Sequence, residues 1–391
     1  MKEKHFETIC VRSQGEKNHN RAHSVPLYLT SSFRFESAEQ ARAMFAEEQQ
    51  GNIYSRFSNP NTSEFIEKMC ALEGMEDGFA YGSGMAAIFS GMAAVLGKGD
   101  HILASRALFG STNQILTKIL PKWGIESSYA ELDDPESWKK NVRKETKMIF
   151  VETPSNPGLD IIDLKWLGDF AKENKAVLFA DNTFATPFGQ RPAESGADLI
   201  MHSATKYIDG QGRVLGGIVV GNGELIKNVR VFSRLTGPSL SPFNAWVFSK
   251  SLETLPLRME KHSSNAFELA KRLEGNSELE YVKYPFLDSY KKVDLAKRQM
   301  KNGGGLVVFE VKGGLERGKR FLDKLEMITM SANLGDTRTI ATHPSSTTHS
   351  KLTEEERLKV GIQPGLIRIS VGLEHIDDIT DEILTALDHS K

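Results

Sequence analysis

The sequence predicts an α/β protein: a large domain on a mostly parallel sheet with helices on both faces, then a smaller α+β domain. Three observations carry this. Through the middle of the chain, short apolar runs of strand length alternate with amphipathic stretches of helical spacing. One run, Ala176-Val-Leu-Phe-Ala-Asp181, drives five apolar residues into a carboxylate, as a strand does when its carboxyl end faces a ligand crevice. Beyond a Gly-Pro-Ser-Leu-Ser-Pro break starting at Gly237 the order of elements changes.

Residues 1 to about 60 are polar with little periodicity, so they are expected to form an arm that is either flexible or held against another subunit. Residues 61–245 form the expected large domain. A helix is predicted from near Ser83 through Val95, with strands at His101–Ala104, Lys147–Glu152, Ala176–Asp181, Leu199–His202 and Gly217–Val220. Helical spacing recurs at Ser111–Leu120 and Leu164–Glu173. Residues 246–391 form the expected small domain. It reads as a helix over about 246–274, strands at Leu279–Tyr284 and Gly305–Val311, a helix at Leu315–Leu325, a strand at Leu366–Val371 and a last helix at Ile376–Leu387.

Composition narrows the function. A chain of 391 residues can bury a large core, and a net charge of −2 with pI near 6.6 offers no basic footprint for nucleic acid. Two cysteines, Cys10 and Cys70, make a disulfide framework an improbable design and point to a reducing compartment. No apolar leader or membrane-length run is seen, so a cytoplasmic protein is expected, with neither membrane nor nucleic-acid partners.

The most informative residue is Lys206, in Asp198-Leu-Ile-Met-His-Ser-Ala-Thr-Lys206-Tyr207. It follows a strand and stands just after two hydroxyls, Ser203 and Thr205. Each piece alone has an ordinary reading: a surface lysine, hydroxyls satisfying local backbone, Asp181 capping a turn. Together they supply a lysine for a Schiff base, hydroxyls for a phosphate and an acid for a ring nitrogen. Pyridoxal 5'-phosphate (PLP) requires all three.

With the motifs that flank it, the chain resembles the cystathionine γ-synthase-like family of PLP enzymes, from about residue 8 to 388. That family includes homoserine-ester sulfhydrylases and methionine γ-lyases. The resemblance implies the PLP-dependent transferase fold of the aspartate aminotransferase type (fold type I), and a homo-oligomer, usually a dimer of catalytic dimers. Gly82-Ser83-Gly84-Met85 resembles the family's phosphate loop, with Gly84 and Met85 donating from the backbone at a helix N-terminus. Tyr54-Ser-Arg56-Phe-Ser-Asn-Pro60 resembles a motif that crosses to the neighbouring subunit, where its Tyr and Arg hold the cofactor phosphate. Phe109 takes the position that stacks on the pyridine ring, Asp181 pairs with its nitrogen, and Lys206 carries it. Asn156, in Glu152-Thr-Pro-Ser-Asn156-Pro157, falls near the cofactor's phenolic oxygen and the substrate carboxylate. Arg368, inside the apolar strand Leu366-Ile-Arg368-Ile-Ser370, is implied to clamp the α-carboxylate. His343 and His349 fit no common metal-ligand spacing, and no metal is expected.

Three departures bear on the substrate. Phe109 stands where lyases and cystathionine synthases of the family generally carry Tyr. Ser111 stands where methionine γ-lyases typically carry Cys, and Ala332-Asn333 where cystathionine γ-lyases typically show Glu and Ser. These lean to the sulfhydrylase branch and, with the compact length, to O-succinylhomoserine as the ester and sulfide as the nucleophile. Asn333 then belongs to the substrate site. Cystathionine γ-synthase and O-acetylhomoserine sulfhydrylase activities are the alternatives within the family. A non-catalytic α/β nucleotide-binding protein is the alternative outside it, although the chain lacks both a Gly-x-Gly-x-x-Gly turn after its first strand and a Walker A loop.

Overall fold

The computed structural model describes residues 4–13, 20–348, 350–351, 353–359 and 361–391. Seven strands between residues 77 and 221 form one sheet: β1 Asp77–Tyr81, β2 His101–Ser105, β3 Glu126–Ala130, β4 Thr146–Glu152, β5 Val177–Asp181, β6 Leu199–His202 and β7 Gly217–Gly221. Their spatial order is β1-β7-β6-β5-β4-β2-β3. β3, β2, β4, β5 and β6 run parallel, and β7 is antiparallel to both its neighbours. The carboxyl ends of the parallel strands therefore share one edge, where ligands of such sheets gather.

Alternate residues of the buried strands go to opposite faces. Leu178 and Ala180 of β5 join a core with Phe65 and Met69, while Phe179 joins a second core with Ile88 and Phe150. Phe150 and Phe179 meet edge to face at 5.3 Å, and burying such a ring contributes roughly 1.5–3 kcal/mol. Helices Pro60–Glu73 and Gly84–Val95 cover the two faces.

A second sheet builds the smaller domain from β8 Leu279–Lys283, β9 Leu306–Val311, β10 Thr329–Met330, β11 Ile340–Thr342 and β12 Leu366–Ser370. Its order is β10-β11-β12-β9-β8, antiparallel except for β10 with β11. It buries its own core, with Phe309 and Phe321 packed against Ile367, Ile369 and Ile383.

Several elements depart from the sequence expectation. The arm holds a helix, Phe6–Arg12, whose Cys10 is fully buried in the core of helix Pro60–Glu73. Phe6, Ile9 and Cys10 have helical spacing, but one and a half turns is too short a signal to stand out. A second short helix, Ala38–Phe45, is capped by the Ser37 side chain. β1 and β3 were not expected. Asp-Gly-Phe-Ala-Tyr is short and contains glycine, and β3 is a half-exposed edge strand with two serines. The long helix expected over 246–274 is two, Pro242–Leu252 and Leu255–Leu273, broken ahead of Pro256. Among the described residues no helix is long and apolar enough to cross a membrane.

Candidate active site

Three strand ends set the floor of a cavity of about 260 Å³. β4 ends in Glu152 and β5 in Asp181, side by side in register, and β6 leads into the turn that carries Ser203, Thr205 and Lys206. Across from them stand Phe109, Ala332 and Arg368.

The Asp181 carboxylate accepts the Thr183 backbone N–H at 2.9 Å, and the Thr183 hydroxyl accepts the Ser203 N–H at 2.9 Å. The acid and the hydroxyl-bearing turn are thereby stitched together. Burial raises the Asp181 carboxyl above the ordinary range. Glu152 accepts the Phe109 backbone N–H at 2.9 Å, and burial, then the charge of Asp181, holds its carboxyl well above the carboxylate range. Two adjacent carboxylates, Glu152 buried and Asp181 half-buried, are costly as anions, and a protonated ring nitrogen beside Asp181 would offset that cost.

Lys206 Nζ donates to Asn333 Oδ1 at 2.6 Å. Burial, then the nearby Arg368 guanidinium, depresses its amine from 10.5 to about 8. A neutral amine is what attack on an aldehyde needs. Arg368 is 4% exposed on β12 and donates to Asn156 Oδ1 at 2.9 Å, to the Asn333 carbonyl at 3.2 Å and to the Thr342 hydroxyl at 3.4 Å. Burial lowers its guanidinium to about 10, and its Nε has no hydrogen-bond partner among the described residues. A buried cation so placed has spare capacity for a carboxylate.

At the opposite corner, Ser83 caps helix Gly84–Val95 by accepting the Ala86 N–H at 3.1 Å. Gly84 and Met85 lie in the first turn, whose backbone N–H groups have no intrahelical acceptor. A Cβ at Gly84 would come within 2.7 Å of Ser203 Cβ, so only glycine lets the helix start approach the Ser203 turn. Thr205 donates its hydroxyl to the Gly216 carbonyl at 3.2 Å.

Lys206, Asp181, Ser203, Thr205, Gly84, Met85, Phe109, Asn156 and Arg368 all line this one cavity, and Asn333 joins it through Lys206. Tyr54 and Arg56 do not. Arg56 donates to the Arg234 carbonyl, lies 4.8 Å from the Phe57 ring centroid and lines a separate cavity of about 540 Å³. His343 bonds Ser346 and the Pro364 carbonyl with its two ring nitrogens, while the neighbouring Pro344 lines the Lys206 cavity. His349 lies outside the described residues. The residue sequence reasoning missed is Glu152. The signal that singled out Asp181, an apolar strand running into a carboxylate, marks it equally.

The family model for Cys/Met metabolism PLP-dependent enzymes matches residues 7–388. The chain belongs to that family. It is 44% identical to an O-succinylhomoserine sulfhydrylase of Pseudomonas aeruginosa over 98% of this chain and 95% of that protein. It is 40% identical to an L-methionine gamma-lyase of Porphyromonas gingivalis over 98% and 97%. A crystal structure from Campylobacter jejuni, titled for an O-acetylhomoserine (thiol)-lyase with a pyridoxyl-lysine monophosphate, superposes with a TM-score of 0.94. It is 35% identical, and the match covers 98% of this chain and 100% of that one. The fold is therefore that of the family's fold type I enzymes, and the cofactor is PLP. The donor set fits it: a depressed lysine, an acid for a ring nitrogen and a glycine-permitted anion corner meet in one cavity.

Proposed function

We propose that the enzyme catalyses γ-replacement, converting O-succinyl-L-homoserine and sulfide to L-homocysteine and succinate. Arg368 binds the α-carboxylate, with Asn156 fixing the guanidinium plane. Tyr54 and Arg56 are assigned to a neighbouring subunit's phosphate, which fits their placement outside the chain's own cavity and makes a homo-oligomer the working unit. The domain limit at residue 60 accords with the start of helix Pro60–Glu73, whereas the limit at 245 falls inside helix Pro242–Leu252, whose Ala245, Phe248 and Leu252 pack in the large-domain core, so that limit is better placed beyond this helix. PLP, when bound, supplies the electron sink for charge at Cα. Lys206 takes the Cα proton and, after a Cβ proton is removed, succinate leaves Cγ. Hydrosulfide adds at Cγ, Lys206 helps return the protons, and homocysteine is released.

The observation that carries the choice of nucleophile is the wall around Asn333. Among the described residues of this chain it consists of Ala332, Leu334, Pro344, Thr348 and Leu215, with no charged group beyond the floor acids, Lys206 and Arg368. Sulfide needs no such group, whereas an amino-acid nucleophile brings two charges to be received. Among the described residues the same wall offers the succinyl carboxylate no cation, so the choice of ester rests on the likeness to O-succinylhomoserine sulfhydrylases.

The test is a product assay on PLP-loaded enzyme given O-succinylhomoserine with equal sulfide and cysteine. Homocysteine in excess supports the reading, cystathionine in excess overturns the choice of nucleophile, and faster turnover of the acetyl ester overturns the choice of acyl group.

A further inference from the structure

Behind the cavity floor lies a carboxylate that the reaction does not use. Glu73, the last residue of helix Pro60–Glu73, is 0% exposed on a face shared with Phe65, Met69 and Leu72. Its Oε1 accepts two hydrogen bonds, from His202 Nε2 at 2.5 Å and from Asn182 Nδ2 at 2.8 Å. His202 is its one ion-pair partner among the described residues, and Oε2 has no partner there. Burying a carboxylate this way costs more than an apolar residue of the same volume, so packing alone does not explain it.

The two donors explain it. Asn182 directly follows Asp181, and His202 directly precedes Ser203. Both residues sit at the carboxyl ends of β5 and β6, where the last backbone bond between the two chains runs from the Asn182 N–H to the Met201 carbonyl at 3.0 Å. Asn182 is held further by Gln190, which accepts from it through its carbonyl at 2.8 Å and donates to its side chain at 3.1 Å.

We propose that Glu73 is a positioning residue: one buried oxygen, acting from behind with the Thr183 link in front, holds the spacing between Asp181, the acid for the ring nitrogen, and Ser203, at the phosphate end. This rests on the assignment of Asp181 and Ser203 to the cofactor. A packing role needs volume at residue 73, whereas a positioning role needs an acceptor oxygen.

The experiment titrates apo-protein with PLP for Glu73→Met and Glu73→Gln, recording the dissociation constant and the rise in melting temperature that PLP produces. Methionine keeps the volume and loses the acceptor, while glutamine keeps both. Glu73→Met is expected to weaken PLP binding about tenfold and shrink the PLP-induced rise, with Glu73→Gln within about threefold of the parent. Equal binding by Glu73→Met and the parent overturns the proposal, as does equal weakening by both variants. If Glu73→Met does not fold, His202→Met, which leaves the Asn182 bond, carries the test. PLP binding within about threefold of the parent would then overturn it. Asp181→Ala and Ser203→Ala run alongside, because normal PLP binding by both would sink the cofactor assignment rather than the role of Glu73.

Discussion

Arg368 Nη1 donates to Asn156 Oδ1 at 2.9 Å although the two residues are 212 positions apart. The bond crosses from the small sheet to the turn after β4 of the large one, so segments of both sheets together build the proposed substrate-carboxylate site. Replacing Arg368 by lysine keeps the charge but loses the planar fork. We expect kcat/KM for the amino-acid ester to fall roughly 30- to 100-fold, about 2–3 kcal/mol, mostly through KM. Steady-state kinetics with varied ester checks this, and an unchanged KM would remove Arg368 from the carboxylate site.

The depressed amine of Lys206 predicts how apo-enzyme captures its cofactor. Only the neutral amine attacks the aldehyde, so the capture rate should rise with pH through a midpoint near 8 rather than 10.5. Because Arg368 is the second cause of the depression, Arg368→Met should move the midpoint upward. Stopped-flow absorbance across pH 6.5–10, a range chosen around that value, measures both. The Lys206→Ala variant should capture no cofactor covalently.

Glu152 offers a prediction about stability. Its folded carboxyl is raised, so its contribution is fully present below the unfolded value and is lost as pH climbs through the folded one. Glu152→Gln keeps an oxygen for the Phe109 N–H and never ionises. The apo-variant should therefore melt above the parent at pH 8, with the gain shrinking toward pH 4.5, near the ordinary carboxylate value. Thermal melts of apo-protein at both pH values decide it, and a gain that is constant with pH would refute the cause.

With Phe109 lining the cavity where the cofactor ring is proposed to lie, Phe109→Tyr should add a hydroxyl acid there. We expect 2-ketobutyrate formation from methionine to rise at least about tenfold, since a placed acid is worth one to several orders of magnitude. Failure to rise would show that Phe109 does not limit elimination.

Legibility in the sequence followed burial. β4 and β5 stood out because strands covered on both faces shed their polar alternation, and Gly84–Val95 stood out because an apolar helix begins at a Ser-Gly capping signal. β1 and β3 did not, because their strand character comes from neighbours: β1 exists by pairing with β7, and β3 by pairing with β2. Glu152 was visible as a strand-ending acid but indistinguishable from a turn residue until its neighbour was known. Glu73 was hidden altogether, since a glutamate at a helix end reads as solvated surface.

By itself the sequence determined the family and its PLP cofactor. Lys206, Asp181, the Gly84–Met85 helix start and Arg368 in its apolar strand are local signals, each written within a few residues of itself. The tertiary structure alone decided which groups meet. It placed Lys206 on Asn333 and Arg368 on Asn156, put Glu152 beside Asp181, and left Tyr54 and Arg56 away from the cavity of their own chain. The physical reason is that Lys206 with Asn333 and Arg368 with Asn156 join segments fixed by the packing of two separate sheets, while Glu152 meets Asp181 only through the strand order within one. Their distances depend on the whole core, and no local pattern of residues records them.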